Sequence, residues 1–164
     1  MVKYNIVVEN AHILFRNFSG KEGDFNPAGN RNFCVLIDDE HAKKYSEDGW
    51  NIRTLKPKDE GQPEQPYLPV AVRFGDYPPK VVLISSRGKT QLDESSVGIL
   101  DWAEIQNVDL IVRPHNWSNP SGTKRGVKAY LKSIYVTLVE DEFESKYYDV
   151  PDSAANSIGN DGEY

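Results

Sequence analysis

A chain of 164 residues, 38% hydrophobic, 27% charged and 11% aromatic, has the size of one domain and too many apolar and aromatic side chains for wholesale disorder. No apolar run approaches the roughly 18 residues of a membrane-spanning helix, and the N-terminus lacks a signal-peptide apolar stretch. The single Cys34 and three histidines give neither an intrachain disulfide nor a metal-ligand spacing, so a cytoplasmic protein without metal or cofactor is expected.

β-Branched and aromatic segments recur between Gly, Pro and Asn punctuation, the pattern of a mainly β protein. Strands are predicted at 3–16, 31–38, 50–55, 67–74, 79–87, 107–115 and 126–139. A first helix, EHAKKYSED, follows Asp38 and Asp39 and stops at Gly49. A second, SSVGILDWAEI at 95–105, has Asp93 as candidate N-cap; Trp102 on it is a better core candidate than Trp117. Three loops stand out: NFSGKEGDFNPAGN at 17–30, KPKDEGQPEQP at 56–66 and NWSNPSGTKRG at 116–126. A loop as long as the first is usually functional or mobile.

The net charge of −6 is unevenly placed. Residues 140–164 hold eight acids against Lys146, a net −7, and the first 139 residues carry 18 bases against 17 acids. A near-neutral body is joined to an acidic tail. From about residue 151 the tail is too poor in apolar side chains to offset its ordering entropy and is expected to be disordered.

Catalytic signatures are absent. There is no G-x-S-x-G elbow, and His12, in an apolar strand, reads as a core or edge residue. SSRGKT at 85–90 has Leu83 where a phosphate loop needs its first glycine. Asp38–Asp39 and Asp93–Glu94 stand at helix starts, where acids favour the dipole. The sequons at Asn17 and Asn116 are idle without secretion.

What remains is an interleaving of bases and rings. Lys128, Tyr130 and Lys132 share one face of the last strand by period-two alternation, with Val127, Ala129 and Leu131 on the other. Trp117, Lys124 and Arg125 lie in the loop before it, and Arg113 and His115 on the preceding strand. A second cluster is Arg73, Phe74, Tyr77, Lys80, Arg87 and Lys89; a third is Trp50, Arg53, Lys56 and Lys58. Single-stranded nucleic acid asks for this mixture, because cations track phosphates while ring faces stack on unpaired bases. Each residue alone also reads as ordinary strand surface; the concentration within 113–132 marks the site.

The long first strand, FRNFSGKEGDFNPAGNRNF as the first long loop with its flanks, the strand at 31–38, a bent third element near 67–87, the helix, the hairpin HNWSNPSGTKRGVKAYLK and the ending DGEY form an arrangement that resembles bacteriophage single-stranded DNA-binding proteins. The resemblance implies a five-stranded OB-type barrel over 1–139 with an insertion at about 39–66, followed by the acidic tail. It implies a non-enzymatic protein that coats and protects single-stranded DNA in the host cytoplasm during replication or recombination. Asp152, Asp161, Glu163 and the terminal Tyr164 would regulate binding and recruit partners. A β-barrel interaction or virion-assembly module, its basic residues incidental, is the alternative.

Overall fold

Alternating aliphatic residues carry most of the chain into strands, and a computed structural model describes residues 1–57 and 60–140. In chain order these are β1 (Ile6–Val8), β2 (Ile13–Asn17), β3 (Arg31–Leu36), helix α1 (Asp39–Asp48), β4 (Arg53–Leu55), β5 (Gln65–Val72), β6 (Lys80–Ser85), β7 (Gly88–Leu92), a 3-10 turn (Val97–Asp101), β8 (Ile105–Ser118) and β9 (Arg125–Leu138).

The predicted first strand is broken between β1 and β2, where Asn10 takes a left-handed φ of 53° that its short polar side chain tolerates. The two halves then serve different neighbours. β1 pairs with β8, and β2 with β3. β3 pairs with β5, β5 with β9 and β9 with β8, only the β5–β9 pair being parallel. Since β1 and β2 are consecutive, this path returns to its start. It is the strand order of an OB-type barrel, with the 3-10 turn ahead of the fourth barrel strand.

Two additions decorate the ring. α1 and β4 lie between the second and third barrel strands, and among the described residues β4 pairs only with the start of β5, so the predicted strand at 50–55 is an added one. The expected bent element near 67–87 is two strands, separated by Gly75, Pro78 and Pro79. β6 turns through Ser86 and Arg87 into β7 and pairs in parallel with the second half of β9. β9 thus has β5 and then β6 on one side.

Local signals set α1 as expected. The Asp38 carboxylate accepts from the His41 backbone N–H at 2.8 Å, and Gly49 closes the helix at φ 113°. The second predicted helix shrinks to the 3-10 turn. Asp93 does hold its entry, accepting from the Ser95 and Ser96 N–H groups. Beyond it, long-range contacts take over: Arg16 donates to the Leu100 and Ala103 carbonyls at 2.9 and 2.8 Å. The Asp101 carboxylate accepts from the Phe18 and Ser19 N–H groups. Trp102 therefore ends up 82% exposed instead of in the core, and His12 is exposed as well.

The barrel interior centres on Phe18 and Phe33, both fully buried and stacked with centroids 5.0 Å apart. Leu68, Val70, Leu110, Leu131 and Ile134 complete it. A register shift opposite Ile111/Val112 leaves Lys132 as the extra residue of β9. The inward set consequently changes from Val127, Ala129 and Leu131 to Ile134 and Val136.

Phe33→Ala should cost about 3–5 kcal/mol, read as a lowered midpoint in denaturant. Asp38→Ala should cost about 1 kcal/mol at neutral pH. The His41 backbone N–H, and then the His41 side chain, hold the Asp38 carboxyl below its ordinary value. Its contribution is therefore present above the unfolded value and lost as pH falls through the lower folded one. Stability curves of the two proteins should converge below about pH 4.

Candidate nucleic-acid interface

Residues paired across a ladder share a face, and the outward face of β8 and β9 pairs Arg113 with Tyr130, His115 with Lys128 and Trp117 with Gly126. β5 adds Ala71 opposite Tyr130, with Arg73 next on that face. The result is a cationic cluster around one ring. The Arg113 guanidinium, the Lys128 ammonium and the Arg73 guanidinium lie 5.0, 5.7 and 5.8 Å from the Tyr130 centroid. His115 stacks on the same ring at 5.1 Å, and the Tyr130 hydroxyl accepts from Arg73 Nη1 at 3.4 Å.

Tyr130 is only 7% exposed, which corrects its expected place in an exposed stripe. Lys128 is exposed and Leu131 inward as predicted, while Lys132, also exposed, stands at the bulge where the alternation breaks. The ring itself is covered by the cations it holds. Each such contact contributes about 0.5–1 kcal/mol at exposed sites. Among the described residues, the ion pairs are Arg31–Glu94, His41–Asp38 and Lys44–Asp48, so no described carboxylate pairs with this cluster.

An open groove of about 1170 Å³ runs beside the cluster, with Gly29–Asn32 on one side, β5 residues 69–72 and then Arg73 and Phe74 along it, and Trp117 and Arg125–Ala129 on the other. Its lining has five cations, Arg31, Arg53, Arg73, Arg125 and Lys128, against Glu94. Glu94 is 3.4 Å from Arg31, which also lies over the Phe74 ring at 5.6 Å.

Trp117 is held by a missing side chain. A Cβ on Gly126 would come within 3.0 Å of Trp117 Cζ2, so the indole lies against bare backbone. It is 44% exposed at the groove. Trp50 is the opposite case. It is 3% exposed, bridged to Val127 and packed 6.0 Å from Tyr4, so it is a core residue forming part of the groove floor, not an accessible stacking ring.

The structure thus gathers Arg53, Arg73, Phe74, Arg113, His115, Trp117, Arg125, Lys128 and Tyr130 at one face. It places the others elsewhere. Tyr77 is exposed in the β5–β6 connection, Lys80 on β6 lies over the Tyr135 ring of β9, and Arg87 and Lys89 sit at the β6–β7 turn. Lys124 is at the hairpin tip and Lys132 at the bulge. Lys58, Asp152, Asp161, Glu163 and Tyr164 lie outside the described residues. Arg31 and Asn32, which sequence reasoning missed, line the groove; their signal was their place just after the long loop.

A family model described as "Putative phage ssDNA-binding domain" matches residues 1–163. The chain belongs to this family. Among solved structures, this phage single-stranded DNA-binding protein is similar to the single-stranded DNA-binding protein from bacteriophage Enc34 in complex with ssDNA. The identity is 11%, over 85% of this chain and 89% of that one, with a TM-score of 0.52. A second structure of the Enc34 protein gives 15% identity over 92% and 89%, at 0.50. At these identities the likeness is one of fold. No curated protein matches the sequence. No helix among the described residues is long and apolar enough to cross a membrane.

In this phage single-stranded DNA-binding protein the exposed Trp102 and Ile99 rim a small apolar hollow with Leu83, Leu138 and Val139, at the other end of β8 and β9 from the groove. At the groove end, Gly126→Ala should displace the Trp117 indole while changing stability by less than about 1 kcal/mol. The check is a changed tryptophan emission spectrum with an unchanged thermal midpoint.

Proposed function

We propose that the chain binds single-stranded DNA along this groove, with Arg73, Arg113, Lys128 and Arg125 on phosphates and Trp117 stacked on a base. The observation that carries the reading is the cationic cluster around Tyr130, unneutralised by any described carboxylate, beside a half-exposed indole on Gly126. Duplex binding needs cations alone; rings aimed at a groove are useful when bases are unpaired. The protein works as a coat, not an enzyme, protecting single strands during phage replication or recombination in the host cytoplasm. In this reading residues 1–139 form the binding domain and 140–164 the regulatory tail, whose Asp152, Asp161, Glu163 and Tyr164 compete with DNA for the cations and recruit replication proteins.

Affinity for an oligothymidylate, followed by fluorescence anisotropy, should fall linearly in log–log form with salt, by about 0.7 per phosphate contacted. Trp117→Ala should weaken binding by about 1–3 kcal/mol with an unchanged thermal midpoint, and Arg113→Ala should lower the salt slope. Equal or tighter binding to duplex would remove the reading. A chain ending at residue 150 should bind more tightly at low salt and lose that advantage at high salt, where exposed charges are screened over less than about 8 Å.

A further inference from the structure

Phe25 is 99% exposed, more than any other aromatic residue among the described residues. A single exposed apolar residue is ordinary. The loop that carries this one is not. Gly29 N–H donates to the Gly20 carbonyl at 2.8 Å, and Gly20, at φ 72°, has no room for a Cβ, which would meet the Gly29 backbone at 3.0 Å. The two legs of the loop are thus clasped at their base.

Asparagine side chains brace the interior. Asn17 accepts from the Lys21 N–H and donates to the Lys21 carbonyl at 2.8 and 3.0 Å. Asn26 Nδ2 donates to the carbonyls of Lys21, Pro27 and Asn30 at 2.9, 3.2 and 3.1 Å. Asn26 Oδ1 accepts from Asn32 Nδ2 at 2.9 Å, and Asn32 lines the groove. At the tip, Gly23 and Asn26 pair as a small bridge and present Asp24 and Phe25.

The charges of the loop rule out a phosphate clamp, because Lys21 is outnumbered by Glu22 and Asp24. What the loop displays is a ring, at low entropic cost because its mounting is already ordered. Gly29 is a wall of the groove, and four residues of chain span at most about 14 Å. We propose that Phe25 is a second base-stacking platform, which receives an unpaired base of a strand leaving the groove past Gly29–Asn32. Asn26 is its positioning residue. This rests on the single-stranded DNA reading of the groove.

The test uses the full chain and two oligothymidylates, one long enough only for the groove and one several nucleotides longer, each followed by fluorescence anisotropy. On the longer strand Phe25→Ala and Phe25→Leu should each weaken binding about five- to hundredfold. Phe25→Tyr should stay within about threefold of the parent. On the shorter strand all three should match the parent, and thermal midpoints should not move. Abasic positions at the ends of the longer strand should abolish the difference between Phe25→Ala and the parent. Unchanged affinity of Phe25→Ala on the longer strand overturns the proposal and leaves the ring to a protein contact. Equal performance of Leu and Phe also overturns it, since leucine has no π face. If the parent binds and Trp117→Ala weakens binding while Phe25→Ala does not, this inference alone fails. If the parent binds neither oligonucleotide, the groove reading fails with it.

Discussion

The β8–β9 ribbon is the constraint from which the remainder of the molecule takes its position. Fourteen residues of each strand, paired from Ile105–Leu138 to Ser118–Arg125, turn aliphatic side chains into the barrel and basic and aromatic ones out of it. Slipping the pairing by one residue would put Val112, Ala129 and Leu131 in solvent and Arg113 and Tyr130 in the core. Burial of the aliphatic set therefore fixes the outward set, and the interface is specified by the same free energy that folds the barrel. The bulge at Lys132 lets this hold along the strand's full length, because it re-aims β9 where its neighbour changes from β5 to β6.

The cationic cluster is an arrangement of like charges. Arg73, Arg113 and Lys128 stand within 6 Å of one ring centroid, where they repel one another while the negative face of the tyrosine attracts all three. An anion arriving there gains its own attraction and relieves that repulsion. Arg31, by contrast, is already engaged with Glu94 and Phe74. The groove thus has a prepared end and a neutralised one, and the overall charge of −6 describes neither.

Much of this was legible from local chemistry. Asp38 and Gly49 bracket α1 because a cap and a left-handed stop act within one turn. Period-two alternation placed Lys128 and Tyr130 on one face, Arg113 and His115 joined them through pairing, and Lys132 fell on the bulge where the alternation breaks. The second helix failed because Arg16 and Asp101 make contacts across more than 80 residues of sequence, which no window of local propensity contains. Trp50, Trp102 and Trp117 looked alike as letters. One is buried by a bridge to Val127, one is left on the surface by a turn that never became a helix, and one is accommodated by a glycine nine residues away. Arg31 escaped notice because its role depends on Phe74 and Glu94, distant in sequence.

The direction of β9 sets the distance between the cations and the strand's far end. Lys128 and Leu138 are ten positions apart on one strand, about 33 Å at 3.3 Å per residue. The chain leaves the barrel at the end remote from the cations. Even a fully stretched polypeptide needs about ten residues to cover that distance again. The ribbon's two ends are thus separate addresses, cations and the Trp117 indole at one and the apolar rim of Trp102 and Val139 at the other.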